Sequence, residues 1–258
     1  MSDIPSYPQP RPASRVLVTG ASSGIGEATV RQLRASGWAV IAVARRRERL
    51  EKLAEETGCE FYSCDLTDRA AVDEMVAKLL ATGPLTAVVN NAGGAIGTDS
   101  VADGKVTDWE GMYRRNVVTA LNVTQATLPA LRKKGGDLLY VTSTAALDTY
   151  PGGGGYVAAK HAEQMIPLTL RQELVGEPVR VIEIAPGMVK TAEFSLNRLG
   201  SKEAAEAVYR GVAEPLAAED IADLISWCLS RPPHVNIDRV IIRPVAQATN
   251  TLVARTEE

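Results

Sequence analysis

The sequence has few cysteines, no long apolar segment and little excess charge of either sign. Its three cysteines, Cys59, Cys64 and Cys228, are odd in number and not spaced as in a disulfide framework or a zinc site. No apolar run reaches the roughly 18 residues of a transmembrane helix. Twenty-eight basic against 31 acidic residues give a net charge of −3, so nucleic acid and membrane surfaces are not expected partners. These absences favour a cytoplasmic protein that binds no metal.

The remaining composition is that of an ordinary globular chain. Of the 258 residues, 45% are hydrophobic and 23% are charged, and no linker or internal repeat divides them. Four prolines lie within residues 1–14, which lack the apolar run of a signal peptide. We therefore predict a disordered proline-rich tail over 1–14, one catalytic domain over 15–247 and a C-terminal tail over 248–258.

From Arg15 onward, short β-branched runs alternate with longer segments of helical periodicity. Such alternation is typical of βαβ units, which build a parallel sheet with helices on both faces. The predicted strands are Val16–Val18, Trp38–Val43, Glu60–Cys64, Thr86–Val89, Asp137–Thr142, Val179–Ile184 and Arg239–Ile242. The predicted helices are Gly24–Ala35, Arg46–Thr57, Ala70–Ala81, Asp108–Lys133, Tyr156–Val175 and Glu219–Leu229. The pattern predicts an α/β fold with a seven-stranded parallel sheet. Residues 190–215 break the rhythm, and we expect a mobile substrate lid there.

A glycine-rich turn follows the first predicted strand. Its sequence from Thr19 is TGASSGIG, in which the glycines allow close approach of a ligand and a helix begins at once. A pyrophosphate could bind at that helix N-terminus. The spacing G-x-x-x-G-x-G departs from the common dinucleotide fingerprint, so the turn alone is a weak signal.

Three arginines, Arg45, Arg46 and Arg47, follow the second predicted strand. An NAD site usually has an acidic residue there for the ribose 2′-hydroxyl, whereas the 2′-phosphate of NADP favours arginine. The alternative is a solvated helix start paired with Glu48 and Glu51. We predict NADP, with Arg45 as the first candidate for the phosphate contact and Arg46 as the second.

Tyr156 and Lys160 are four residues apart at the start of a predicted helix, and so lie on one face. The ammonium of Lys160 would lower the pKa of the phenol. A phenol with a lowered pKa can exchange a proton with a carbonyl or an alcohol while hydride moves to or from a nicotinamide.

Several further motifs occur in order with this pair. They are NNAG from Asn90, Asn116, Ser143, YVAAK from Tyr156 and PGMVKT from Pro186. Together with the glycine-rich turn, they resemble the short-chain dehydrogenase/reductase family from about Arg15 to Gln247. The resemblance implies a single-domain, Rossmann-type doubly wound fold and an NADP-dependent oxidoreductase acting on CH–OH groups.

The resemblance also implies roles for individual residues. Tyr156 would be the acid–base and Lys160 its partner and a ligand of the nicotinamide ribose. Ser143 would polarise the substrate carbonyl, and Asn116 would take part in a water-mediated proton relay. The implied cofactor-binding residues are Gly20, Ser22, Ser23, Gly24, Ile25, Gly26, Arg45, Arg46, Asp65, Leu66, Asn90, Gly93, Tyr156, Lys160, Pro186, Gly187, Val189 and Thr191.

The stretch from Arg231 to Gln247 is similar to a branch that contains NADP-dependent 3-hydroxy acid (serine-type) dehydrogenases. A small 3-hydroxy acid or semialdehyde is one possible substrate. The alternatives are a 3-oxoacyl-carrier or general aldehyde and ketone reductase and, in another class, a non-catalytic NADP-binding regulator. Family members commonly form homotetramers through two long helices, and we expect one here.

A 3-hydroxy acid would need a cation for its carboxylate. The lid offers four, Lys190, Arg198, Lys202 and Arg210, and we expect Arg198 or Arg210 to serve because the guanidinium fork binds carboxylates bidentately. The alternative is that all four are solvated charges. Four glycines at 152–155 directly before Tyr156 predict a flexible loop beside the substrate.

Overall fold

The computed structural model describes residues 14–256, and its strands form one parallel sheet. The seven strands are β1 (Arg15–Thr19), β2 (Ala39–Ala44), β3 (Glu60–Ser63), β4 (Ala87–Asn90), β5 (Gly136–Val141), β6 (Val179–Pro186) and β7 (Arg239–Ile242). Their order in the sheet is β3-β2-β1-β4-β5-β6-β7. The predicted α/β fold and each of the seven predicted strands are confirmed, with ends that differ by at most two residues from the predicted ones.

The helices are α1 (Gly24–Ala35), α2 (Arg47–Thr57), α3 (Arg69–Thr82), α4 (Val106–Tyr113), α5 (Thr119–Lys134), α6 (Gly154–Glu173), α7 (Phe194–Leu199), α8 (Lys202–Ala207) and α9 (Ala218–Leu229). Among the residues described, no helix has the length and apolar character needed to cross a membrane.

Alternating side chains along each strand cover the two faces of the sheet. Val16 and Val18 of β1 pack in one apolar cluster with residues of α1, α2 and α9. Leu17, between them, belongs to a second cluster with residues of α3, α5 and α6. All three side chains are fully buried, as expected for the middle of a parallel sheet. The predicted arrangement of helices on both faces is confirmed.

The long helix predicted over Asp108–Lys133 is present, and it runs from Val106 to Lys134 in the structure. It contains a π-helical turn, Arg114–Val118, between α4 and α5, which the sequence did not predict. Single π-helical turns in α-helices are frequent at functional sites. The turn contains Asn116, which is fully buried.

Three segments were left without predicted helices or strands: 1–14, 190–215 and 248–258. Within 190–215, α7 and α8 form two short helices. Residues 1–13 of the predicted N-terminal tail and 257–258 lie outside the described residues. The segment predicted as a C-terminal tail turns back on the domain: Gln247 forms an antiparallel bridge with Val253, and the Thr256 amide donates to Gly211 O at 2.8 Å.

Candidate active site

A cavity of about 840 Å³ opens at the carboxyl ends of the strands, where the strand order reverses between β1 and β4. Ligands of open α/β sheets bind at this kind of crevice. The predicted site residues that line it are Gly20, Ser22, Ser23, Gly24, Ile25, Arg45, Arg46, Asp65, Leu66, Gly93, Ser143, Tyr156, Lys160, Pro186, Gly187, Val189 and Thr191. The fold therefore brings residues from seven separate segments of the chain to one cavity.

Three predicted site residues lie beneath the lining. Gly26 is buried under the glycine-rich turn, where a Cβ would lie 2.3 Å from Gly20 O. Asn90 is 2% exposed, and neither of its amide atoms has a hydrogen-bond partner among the described residues. Asn116 uses its side chain on backbone: Nδ2 donates to Gly94 O at 2.9 Å and to Met112 O at 2.7 Å, while Oδ1 accepts from Gly94 N at 3.0 Å. Its amide thereby fixes the chain under Gly93.

The glycine-rich turn leaves the first amides of α1 facing the cavity. Gly20 and Gly24 have φ angles of +67° and +55°, a region that L-residues rarely adopt. Ser23 is the N-cap residue of α1, but its side chain makes no capping hydrogen bond. The free N–H groups and the positive end of the helix dipole can therefore accept an anion.

Arginines surround the end of the cavity next to this turn. Arg46 donates from Nε and Nη2 to Ser22 Oγ at 3.1 and 2.9 Å, so its guanidinium is fixed over the turn. Arg45 is exposed, and none of the residues described in 14–256 forms a hydrogen bond or ion pair with its side chain. Arg115 also lines the cavity. Partial burial and, to a smaller extent, the charge of Arg45 lower the pKa of its guanidinium. This group is called the arginine rim (Arg45, Arg46 and Arg115).

Glu193, at the start of the lid, reaches the arginine rim. Its carboxylate lies 2.8 Å from Arg46 Nη1 and also pairs with Arg49. Burial on its own would raise the pKa of Glu193, but hydrogen bonds from Arg46, Ser23 and Arg49 hold it below its ordinary value. An anionic side chain thus lies among the cations that the sequence assigns to a phosphate.

The opposite end of the cavity holds the predicted catalytic side chains. Ser143 follows β5 as the N-cap of a 3₁₀ turn, and Tyr156 and Lys160 are on the first turns of α6. Tyr156 is 8% exposed and Lys160 3%. Lys160 Nζ lies 5.9 Å from the centre of the Tyr156 ring and 3.4 Å from Val141 O. Ser143, Tyr156 and Lys160 therefore meet as the sequence predicts, and we call them the catalytic floor.

The glycines before Tyr156 are closely packed. Gly152 has a φ of +72°, and a Cβ there would lie 2.8 Å from Thr98 O. A Cβ at Gly153 would lie 2.5 Å from the Tyr150 ring. The sequence predicted a flexible loop, whereas the structure shows glycines at positions where no side chain fits. They allow the start of α6 to approach its neighbours closely.

Burial changes the acid–base properties of the floor. It raises the pKa of the Tyr156 phenol above its ordinary value, although the Lys160 charge and a hydrogen bond with Ser143 lower it. The predicted effect of Lys160 is therefore present, but burial outweighs it. Glu163 follows Lys160 by three residues on α6, and the distance from its Oε2 to Lys160 Nζ is 2.5 Å. Burial raises its carboxyl pKa to about 7, against the opposing effect of Lys160.

Arg198 on α7 is the lid cation that reaches the catalytic floor. Its guanidinium carbon lies 5.9 Å from the centre of the Tyr156 ring and 5.6 Å from that of Tyr150. It donates to Gly97 O at 3.0 Å, to Tyr150 Oη at 3.2 Å and to Gly152 O at 3.1 Å. The other three lid cations, Lys190, Lys202 and Arg210, are exposed and do not line the cavity.

Sequence reasoning did not single out Arg115, Glu163 or Glu193 for this site. Glu163 and Glu193 have no motif around them. Arg115 and Glu193 reach the site through residues distant in the chain. Glu163 lies three residues after Lys160 on the same helix, a spacing that the sequence shows without showing that both side chains are buried. Within the described part of the chain, no group of three or more His, Cys, Asp or Glu side chains could hold a metal ion.

The comparisons agree with this geometry. A profile described as short chain dehydrogenase matches residues 14–199. An uncharacterised oxidoreductase of Mycobacterium tuberculosis is 50% identical over 235 residues, which cover 90% of this chain and 92% of the relative. Serine 3-dehydrogenase of Agrobacterium fabrum is 41% identical over 237 residues, 90% of this chain and 94% of that one. The closed form of serine dehydrogenase complexed with NADP⁺ is similar with a TM-score of 0.88 and 36% identity, covering 94% of this chain and 100% of the other. The chain belongs to the short-chain dehydrogenase family.

Proposed function

We propose that the protein is an NADP(H)-dependent oxidoreductase that interconverts an alcohol and a carbonyl on a small 3-hydroxy acid or semialdehyde. The observation that carries this proposal is the position of Arg198, a cation 5.9 Å from the centre of the Tyr156 ring, at the end of the cavity where the predicted catalytic side chains meet. The similar proteins named serine 3-dehydrogenase and serine dehydrogenase complexed with NADP⁺ support the same substrate class and cofactor.

The residues present fit NADP. The unpaired guanidinium of Arg45 and the fixed one of Arg46 would hold the 2′-phosphate, and the amides at the start of α1 would hold the pyrophosphate. Asn90, with both amide atoms unpartnered, lies at the end of β4 beneath the adenosine side. When bound, the nicotinamide supplies or accepts a hydride.

The side chains of the catalytic floor would move the proton and orient the substrate. Ser143 Oγ would donate a hydrogen bond to the carbonyl oxygen, and Tyr156 Oη would give that oxygen a proton during reduction or take it back during oxidation. Lys160 would stabilise the phenolate through its charge and hold the ribose. Asn116 would support the relay of protons from its place in the π-helical turn.

Arg198 would hold the carboxylate of the substrate. Guanidinium has five N–H donors, of which three are engaged by Gly97 O, Tyr150 Oη and Gly152 O. Two donors remain, and no carboxylate in residues 14–256 forms an ion pair with Arg198. A bound anion would therefore meet a positive charge that is already fixed in place and has no competing carboxylate.

NADPH and NADH oxidation against malonic semialdehyde, a neutral aldehyde of similar size, aromatic aldehydes and a 3-oxoacyl thioester tests the proposal. We expect semialdehyde with NADPH to give the highest kcat/KM. Preference for another carbonyl would overturn the substrate class and leave the oxidoreductase in place. NADPH binding without turnover of any carbonyl would favour a non-catalytic regulator.

Replacement of Arg198 tests the anion contact directly. Arg198→Met should lower kcat/KM for the semialdehyde about 30-fold, the cost of a lost charged hydrogen bond, and leave the neutral aldehyde nearly unaffected. Arg210→Met, which removes an exposed lid cation, is the matched control and should change neither. Equal losses for charged and neutral substrates would show that Arg198 only secures α7.

Assembly and location are part of the same proposal. The two long helices predicted to form the interface correspond to α4 with α5 and to α6. They expose the apolar side chains of Tyr113, Leu121 and Met165, which a homotetramer would cover. Light scattering of the purified protein tests this, and a monomer would contradict it. The three cysteines are buried free thiols, which supports a reducing compartment such as the cytoplasm.

A further inference from the structure

Glu163 lies behind the catalytic floor as a buried carboxylate. It is 1% exposed, and its Oε2 lies 2.5 Å from Nζ of Lys160, which is 3% exposed. Removing two such charges from water costs several kcal/mol for each, so the chain keeps the carboxylate at a substantial cost in desolvation. A buried apolar residue at this place would pack without that cost, which indicates that the charge itself has a use.

Other charged and titratable groups face Glu163 from the neighbouring elements. On α6 they are Lys160 and Tyr156, on β6 Glu183 and on β5 Tyr140, whose phenol also feels the charge of Glu163. Glu183 is fully buried, and three donors satisfy it: Thr142 Oγ1 and Gln164 Nε2 reach Oε1, and Arg239 Nε reaches Oε2.

The charges in this group balance in pairs. Arg239 neutralises Glu183 at 2.8 Å, and Glu163 neutralises Lys160. With both pairs ionised, Tyr156 is next to an ammonium whose effect on the phenol pKa is partly offset by the carboxylate behind it. The stabilisation of a Tyr156 phenolate is correspondingly weaker than Lys160 alone would give.

We propose that Glu163 is a positioning residue that fixes the Lys160 ammonium and, by offsetting its charge, keeps Tyr156 protonated around neutral pH, so that the site is set for carbonyl reduction. The inference rests on the proposed acid–base role of Tyr156. Reduction requires the phenol as proton donor, whereas oxidation requires the phenolate. A site in which Glu163 offsets the charge of Lys160 therefore reduces carbonyls over a wider pH range and needs more alkaline conditions to oxidise alcohols.

The isosteric change Glu163→Gln removes the charge and keeps the shape. In the pH profile of kcat/KM for alcohol oxidation, we expect the rising limb to move about one unit to lower pH, because the uncancelled ammonium favours the phenolate. The falling limb for carbonyl reduction should move in the same direction. Glu163→Asp, which keeps the charge with a shorter reach, should restore the position of the limb at reduced kcat. Glu173→Gln, on the exposed side of α6, should leave the profile unchanged.

A second measurement on the cofactor-free protein needs no substrate. Burial raises the pKa of Glu163 above the ordinary carboxyl value of 4.5, to about 7, so between these values the folded state holds a proton that the unfolded chain releases. Wild-type stability is then lost as the pH rises through this window. Glu163→Gln has no such proton. The difference in Tm between Glu163→Gln and the wild type should therefore grow by about 5–10 °C in favour of the variant between about pH 5 and about pH 8.

The two measurements separate the inference from the proposed function. In Glu163→Gln, the rising limb of the oxidation profile could instead stay in place or move to higher pH while kcat falls equally at every pH. That result would show that Glu163 only packs behind Lys160. Should the wild type turn over no carbonyl, the proposed function fails, and the melting series still decides on the buried charge. Parallel Tm curves for Glu163→Gln and the wild type would then overturn the inference.

Discussion

The two ends of the cavity are built differently. Tyr156 and Lys160 in the floor are less than 10% exposed and are held by close packing around the start of α6. In the arginine rim, Arg45, Arg46 and Arg115 are exposed, and their fixed contacts are few. A buried group cannot move without its neighbours, whereas an exposed charge is screened by solvent and salt. From this difference we expect replacements in the floor to abolish the proposed chemistry and replacements in the rim to change cofactor selectivity by degrees.

The largest effect is expected in the floor. Tyr156→Phe should lower kcat about a thousandfold, because the proton donor is lost, while the Kd for NADPH stays within about twofold. Steady-state kinetics and fluorescence titration of NADPH measure the two quantities. Tyr150→Phe removes a hydroxyl from the neighbouring ring under Arg198 and is the control. A kcat that stays near the wild-type value in Tyr156→Phe would place the proton donor elsewhere.

The next largest effect, on stability and NADPH affinity, is expected when the buried Gly26 is replaced. In Gly26→Ala the added Cβ would lie 2.3 Å from Gly20 O, so the backbone of the turn must shift, at a cost of about 1–3 kcal/mol in unfolding free energy. Denaturant unfolding measures the loss, and NADPH affinity should fall with it. Gly111→Ala, also in a helix, would meet only the end of the Ile96 side chain at 3.2 Å. Equal costs at the two glycines would contradict the tight turn.

Replacements in the rim should have smaller effects. Arg45→Ala should lower the preference for NADPH over NADH about tenfold through the loss of one phosphate contact, and the effect should shrink at high salt. The ratio of kcat/KM with the two cofactors is the measurement. Arg47→Ala, whose guanidinium pairs with Glu51, is the matched control. An unchanged ratio in Arg45→Ala would move the phosphate contact to Arg46 or Arg115.

The smallest effect should come from Glu193. In Glu193→Gln the carboxylate no longer repels the 2′-phosphate, so the Kd for NADPH should tighten about threefold, the size of one exposed ion pair. Isothermal titration measures it, with NADH as the ligand that should not respond. Weaker binding of NADPH would instead mean that Glu193 holds Arg46 in its binding position.

The sequence was most informative where local pattern decides the structure. Alternation along the strands predicted the sheet, and the order of motifs predicted the family, which the comparisons confirm. Tyr156 and Lys160 were accessible to prediction because helical spacing fixes their shared face. Seventeen of the predicted site residues reach one cavity because parallel strands end at one edge of a sheet.

Features that depend on tertiary contacts were not accessible in this way. The π-helical turn around Asn116 has no periodicity of its own, and the six-residue helices α7 and α8 are too short to show one. The glycines at 152 and 153 look flexible in sequence because only the folded neighbours, Thr98 and Tyr150, show why a Cβ is excluded. The i,i+3 spacing places Glu163 next to Lys160 on one helix face, but only the folded structure shows that both charges are buried.

The returning C-terminal segment has a practical consequence for handling the protein. Arg255 donates from Nη2 to Val208 O at 3.0 Å, and the Thr256 amide donates to Gly211 O, so the last described residues are bonded to the lid. A purification tag fused after Glu258 would begin two residues beyond this contact. Such a tag would load the predicted substrate lid, and we expect protein prepared for kinetics to behave best with its tag before Met1.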